Sequence, residues 1–150
     1  MLALLRNPAQ WQTLCQNPEL VPNAVRELLR YDSPVQWTGR RATQAFEWHG
    51  CHIKKGDLLI ALIGSANHDS QRHQQPDQLD ITRSNIGALS FGSGAHVCIG
   101  AGLTQLEAQT LFSTLVARRP HLQLNGTPLR DGNPVYRGLR SLPMQQSSSY

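Results

Sequence analysis

The sequence predicts an α+β fold that is mainly α-helical. Residues 20–31 repeat apolar side chains at helical spacing, and residues 99–118 read as a longer helix. Between them, residues 35–63 change to short strand-like runs punctuated by turn residues. The order α, α, short β, coil, α, short β belongs to an α+β domain.

Residues 8–16 form the first predicted helix, with Asn7 as its N-cap and Pro8 at its first position. Asn17-Pro18 breaks it. In residues 20–31, Val21, Ala24, Val25, Leu28 and Leu29 recur three and four apart and share one face. Ser33-Pro34 ends that helix, because a residue before proline is driven out of the α region. Gln36-Trp37-Thr38 and residues 45–48 look like strands. His49-Gly50 is a hairpin turn, and Cys51-His52-Ile53 is the return strand. Lys55-Gly56-Asp57 is a second turn, followed by a short buried strand over residues 58–63. Residues 65–83 are polar and aperiodic. A long irregular stretch in a compact domain is functional or packed against something. Pro120 closes the helix over 99–118. Residues 122–124 and 134–142 carry short strand signals, with Gly126, Gly132 and Gly138 as turns, and residues 145–150 are expected to fray.

A chain of 150 residues with 39% apolar and 16% charged residues can bury a core and is not disordered. Its net charge of +4 suits an acidic partner, but the Lys and Arg residues are scattered, which argues against nucleic acid. Cys15, Cys51 and Cys98 lie far apart without Cys-x-x-Cys spacing. That pattern disfavours a disulfide framework and a zinc site, and it fits a reducing compartment. The longest apolar run, residues 58–63, is too short to span a membrane. The apolar start is cut off by Arg6-Asn7-Pro8 and is too short for a signal peptide. A soluble cytoplasmic protein is expected, with no membrane and no nucleic-acid partner.

The chemistry concentrates in Phe91-Gly-Ser-Gly-Ala-His96-Val-Cys98-Ile-Gly100. This glycine-rich loop puts one cysteine at the start of a helix, where the dipole and free backbone N–H groups favour a thiolate. A solitary thiolate can serve as an axial ligand to haem iron. The bland alternative is a glycine turn with a small core cysteine. A nucleotide loop at Gly92-Ser-Gly94 lacks the Lys-Ser/Thr that would follow it. Upstream, Glu27 and Arg30 are three apart and share a helix face, which by itself is a common solvated pair.

The loop resembles the cysteine-ligand loop of the cytochrome P-450 haem-thiolate monooxygenases: Phe, Gly, any, Gly, any, Arg or His, any, Cys, any, Gly. Glu27-Leu-Leu-Arg30 resembles the family's Glu-x-x-Arg helix. Residues 65–83, with Asn67-His-Asp69 and Pro76-Asp77-Gln78-Leu79-Asp80, are similar to its meander. Departures are His68 where Arg is common, Ser70 for Pro, Leu79 for Phe, and Gln78 for the Arg that usually joins the Glu-Arg pair.

The resemblance implies the C-terminal part of that fold. Cys98 would be the axial ligand of haem b, on a loop shaped by Phe91, Gly92, Gly94 and Gly100. His96 and Arg40 would pair with the haem propionates, with Arg41 the alternative to Arg40. Glu27, Arg30 and Gln78 would form a buried lock, weaker than usual because an amide lacks charge assistance. Val35, Gln36 and Trp37 would be pocket wall. Implied partners are a ferredoxin-type electron donor with an NAD(P)H-dependent reductase, and a small organic substrate.

Residues 1–150 would be a single partial domain, the proximal side of the haem. The central helix with the family's acid–alcohol pair is absent from these residues, and no Ala-Gly-x-x-Thr segment occurs. No catalytic group beyond the haem ligand is therefore expected. The expectation is a haem monooxygenase by family, truncated and inactive alone. The alternative is a non-catalytic module that binds haem weakly or acts through its surfaces.

Overall fold

The computed structural model describes residues 1–147. Two short helices, α1 (Leu2–Arg6) and α2 (Pro8–Gln16), lead through a single 3-10 turn, Pro18–Leu20, into α3 (Val21–Tyr31). Four short strands follow: β1 (Thr38–Arg41), β2 (Phe46–Trp48), β3 (Cys51–Ile53) and β4 (Leu58–Ala61). After the one-turn α4 (Ile63–Ala66), an irregular meander and the glycine loop reach α5 (Ala101–Arg118). The chain ends in β5 (Leu122–Leu124), β6 (Leu129–Arg130), β7 (Leu139–Ser141) and β8 (Met144–Gln146). All named strand pairs are antiparallel and two-stranded: β1 with β4, β2 with β3, β5 with β8, β6 with β7.

The core lies where α3 and α2 each pack on α5. Leu4, Trp11, Leu14, Val21, Ala24, Val25, Phe112 and Val116 meet there with Leu79 and Ile81 of the meander. Burying such side chains contributes roughly 1.5–3 kcal/mol each. Trp11 adds a polar tie, its Nε1 donating to the Pro120 carbonyl at 2.9 Å. Two meander residues in this core explain why an aperiodic stretch holds one conformation.

Several boundaries differ from expectation. The Asn7 side chain does not cap α2; its Nδ2 donates backward to the Ala3 carbonyl at 2.8 Å and closes α1. Leu20 belongs to the 3-10 turn and not to α3, which starts at Val21 with Pro22 in its first turn. Gln36 and Trp37 are not strand. Gln36 N donates to the Val135 carbonyl at 2.8 Å and Trp37 Nε1 to the Pro134 carbonyl at 3.1 Å, so the chain tail claims them before β1 begins. The predicted buried strand over 58–63 is β4, and it is not buried. Leu58 is 61% and Ile60 43% exposed, because β1 is its sole strand partner and no layer of the described residues covers that face. Helix α5 begins at Ala101, since Ile99 and Gly100 complete the loop. Strands β6 and β8 were not expected, being too short and, at Met144–Gln146, too polar to alternate. Gln145 and Gln146 pair with Gln123 and Leu122 and are not frayed, while residues 148–150 lie outside the described residues.

Candidate functional site

The site is built outward from one buried charge cluster. Glu27 and Arg30 sit one turn apart on α3 and are both 0% exposed. Arg30 Nε donates to Glu27 Oε2, and Nη2 to Oε1, each at 2.8 Å, a bidentate pair. The rest of the guanidinium reaches the meander: Nη1 donates to the carbonyls of Asn67 and Pro76, both at 2.8 Å, and Nη2 to that of Gln78 at 3.3 Å. Lysine could not reproduce this planar fork.

The third member of the lock is not the Gln78 amide. Gln78 is exposed and enters through its backbone carbonyl alone. Arg83 takes the place, its Nε donating to Glu27 Oε1 at 3.1 Å. Its other nitrogens donate to the carbonyls of Gln74, Gln75 and Gln78. Residues 80–83 turn back toward α3, because Asp80 N also donates to Glu27 Oε1 (3.2 Å) and Ile81 is fully buried. The lock is therefore charge-assisted and not weakened by Gln78. Gln78→Ala is expected to leave stability within about 0.5 kcal/mol. Arg83→Gln should cost about 1.5–3 kcal/mol, the range for a bond to a charged group. Urea unfolding of the two variants checks the ranking.

His73 lies beside this cluster and is 4% exposed. Burial lowers its pKa below the usual 6.5, and the charges of Arg30, Arg83 and Arg72 push it the same way against Glu27. The unfolded chain therefore takes up the proton first as pH falls. Stability is full above about pH 6.5 and declines as pH drops toward the depressed folded value. His73→Gln is expected to flatten the unfolding midpoint between about pH 5 and 7.

Asn67 connects the lock to the glycine loop. It is fully buried at the end of α4. Its Nδ2 donates to Ser33 Oγ (2.7 Å) and Ser90 Oγ (3.1 Å), and its Oδ1 accepts from Leu89 N (2.8 Å). Ser90 Oγ in turn donates to the Leu29 carbonyl of α3. The residue just before Phe91 is thus tied to α3 and to the meander at once. Ser33, Ser90, Arg83 and His73 were not singled out as site residues. Their signal in the sequence is only that each flanks a recognised motif.

From that anchor the loop closes on itself. Cys98 N donates to the Phe91 carbonyl at 2.9 Å, and Gly92 N to that of Leu89 at 2.8 Å. Gly92 and Gly94 have φ of +72° and +77°, where a side chain is strained. Gly100 has an ordinary φ of −84°, and a Cβ there would stand 3.8 Å from Cys98 Sγ. Cys98 is a free, exposed thiol. His96 is exposed beside it in the 3-10 turn Gly94–His96. Val97, Ile99 and Leu103 flank the thiol in sequence and are 53%, 105% and 62% exposed.

Arg40 and Arg41 on β1 are both exposed. Arg40 Nη1 donates to Thr38 Oγ1 (3.0 Å) and the Gly39 carbonyl (2.8 Å), whereas Arg41 Nη1 donates to the Gly56 carbonyl (2.6 Å). Both guanidiniums are held locally and neither pairs with a carboxylate of the described residues. Val35, Gln36 and Trp37 are half-buried along the chain entering β1.

The family model for cytochrome P450 matches residues 5–135. The chain belongs to the cytochrome P450 family. A similar curated P450 is CYP107DY1 of Priestia megaterium, 44% identical over 146 residues, covering 96% of this chain and 36% of that protein. The biotin biosynthesis cytochrome P450 of Bacillus subtilis is 42% identical over 146 residues, with 96% and 37% covered. Among solved structures, P450BioI in complex with an acyl carrier protein ligated to hexadec-9Z-enoic acid superposes with a TM-score of 0.94 at 41% identity. That match covers 97% of this chain and 38% of the P450BioI chain. The chain thus spans little more than a third of the length of these P450 relatives. Within that span it is the C-terminal part of the P450 fold, helices with small antiparallel sheets. No helix among the described residues is long and apolar enough to cross a membrane.

A P450 implies haem, and the surface around Cys98 suits that group. An accessible free thiol such as Cys98 is the donor expected of an axial iron ligand. Bare aliphatic side chains on either side of it would suit an apolar plate, and His96 offers a donor for a carboxylate at its edge.

Proposed function

We propose that this chain forms the proximal wall of a haem pocket in a cytochrome P450 monooxygenase. Cys98 would ligate the iron of haem b. His96 and Arg40 would hold the propionates, Arg40 by exchanging its local contacts with Thr38 and Gly39 for a carboxylate. Phe91, Gly92, Gly94 and Gly100 would shape the loop and leave the sulfur uncovered. Val35, Gln36 and Trp37 would contribute a strip of wall toward a small organic substrate. Bound haem would supply the oxygen-activating chemistry, by which one atom of O2 enters the substrate and the other leaves as water, with two electrons from the electron donor and two protons. The protein's own task is to hold the thiolate in place and keep water from it.

The exposed, free Cys98 on a loop tied to the buried Glu27–Arg30–Arg83 cluster carries this proposal. The carbon-monoxide difference spectrum of the reduced, haem-loaded protein tests it. A thiolate-type band is expected, and a band typical of imidazole ligation would overturn the assignment. The electron donor in this proposal is a ferredoxin with its NAD(P)H-dependent reductase, in the cytoplasm.

A second proposal concerns these 150 residues taken alone, as a single partial domain. One side of α5 is bare: Leu103, Leu106 and Leu111 are 62%, 62% and 55% exposed. With one wall, haem forfeits much of the roughly 25 cal/mol per Å² that burial provides, and the Fe–S bond meets water. The 150-residue chain would then bind haem weakly and oxidise nothing, acting only through its surfaces. Turnover by that chain with haem, ferredoxin, reductase and NAD(P)H would refute this.

A further inference from the structure

We propose that Asp32 is a positioning residue for the strip of residues 35–37, acting through Arg137 and Arg130 of the C-terminal segment. Its consequence for the pocket rests on the assignment of Val35, Gln36 and Trp37 as wall.

The strip has no helix or strand of its own to hold it. It leaves α3 through Pro34 and joins β1 only at Thr38. One edge is fixed by sterics. Gly64 N donates to the Gln36 carbonyl at 3.0 Å, and a Cβ on Gly64 would stand 2.9 Å from Gln36 Oε1. The close approach of α4 therefore blocks movement of the strip toward that side.

The other edge is residues 134–137, which the strip meets one after another. Arg137 N donates to the Pro34 carbonyl at 2.9 Å, and Val35 forms a β-bridge with Tyr136. Gln36 N and Trp37 Nε1 reach the carbonyls of Val135 and Pro134. Pro134 is 97 positions from Trp37 in the chain, so the tail needs an anchor near the strip to keep this register.

Asp32 supplies that anchor. It stands at the C-cap of α3, its N–H donating to the Leu28 carbonyl at 3.0 Å, so its place is set by the helix that carries Glu27 and Arg30. Its Oδ1 accepts from Arg137 Nε, and its Oδ2 lies 3.5 Å from Arg130 Nη2. Arg130 Nη1 donates to the Arg137 carbonyl at 2.9 Å and ties the two arginines together. Among the described residues neither arginine has another carboxylate partner. These side chains are 26% to 44% exposed, so the cluster adds little to global stability. Its effect is local: it fixes residues 134–137 against the strip.

Indole N–H resonances of the haem-free protein test this. Trp37 donates to the Pro134 carbonyl beside the strip, and Trp11 to the Pro120 carbonyl in the core. Asp32→Ala and Arg137→Gln should shift the Trp37 resonance and speed its exchange with water about fivefold, while the Trp11 resonance stays in place. Asp32→Glu keeps the carboxylate and should restore most of the protection. Arg83→Gln loosens the distant lock and should leave the Trp37 resonance of the folded protein unmoved. A Trp37 resonance unmoved by Asp32→Ala, or moved as much by Arg83→Gln, overturns the proposal. The wall assignment is checked separately, in the reduced, carbon-monoxide form of the haem-loaded wild type, where the haem ring current should shift Trp37 and not Trp11. If Asp32→Ala moves Trp37 and haem does not, the wall assignment falls and the positioning of the strip stands. The reverse result overturns the positioning alone.

Discussion

Arg30→Ala is expected to lower stability by about 3–5 kcal/mol, the cost of stranding a buried partner charge. Against a total of about 5–15 kcal/mol for a typical domain, that removes a large share. At about 2–4 °C per kcal/mol the midpoint should fall by about 6–20 °C, read by thermal unfolding monitored by circular dichroism. The conservative Arg30→Lys should recover little. The native guanidinium makes five hydrogen bonds from three nitrogens, two to Glu27 and three to backbone carbonyls of the meander. An ammonium has three donors and no fixed plane.

Removing both charges separates this cluster from an isolated ion pair. Buried pairs replaced by apolar residues of similar size are often no less stable. Here a Glu27→Met/Arg30→Met double variant should stay strongly destabilised. It orphans the Asn67 and Pro76 carbonyls and the Asp80 N–H, and it takes from Arg83 Nε its only carboxylate partner. Recovery to near wild-type stability in the double variant would show that the meander does not depend on the cluster.

Cys98→Ala is expected to abolish the thiolate-type carbon-monoxide spectrum of the haem-loaded protein and to leave the unfolding midpoint of the haem-free protein almost unchanged. The sulfur is exposed, and its loop is held by backbone bonds that alanine keeps, notably Cys98 N to the Phe91 carbonyl. An exposed substitution away from any buried contact costs within about 0.5 kcal/mol. The combination separates ligation from folding. A retained thiolate spectrum in Cys98→Ala would remove the ligand assignment, with Cys15 and Cys51 the other thiols of the chain. Cys15 is a poor substitute: it is half-buried, and burial raises its pKa.

The lock and the loop show how much of the site was legible beforehand. Glu27 and Arg30 are one turn apart, so their meeting on one face follows from helical period alone. Gly92 and Gly94 mark backbone conformations that other residues resist, so a tight loop before Cys98 was legible too. That the pair is fully buried was expected only through the resemblance to P450s. The residue that completes it is Arg83 and not Gln78. Gln78 is closer in sequence, but Arg83 arrives because Ile81 and Asp80 turn back onto α3, a matter of long-range packing. The same holds for Asn67, whose bonds join residues 22 to 37 positions away.

By itself the sequence determined the local units of this P450 segment: the amphipathic face of α3, the turn at His49-Gly50, the glycine loop and the length of α5 within two residues. Each depends on neighbours within a few positions, where periodicity and backbone sterics act. Tertiary structure decided which polar groups complete the lock, how Gln36 and Trp37 are held, and that β4 and one side of α5 stay bare. Those outcomes depend on which distant surfaces meet, and a run such as Leu58-Leu-Ile60 has the same local pattern whether or not anything covers it.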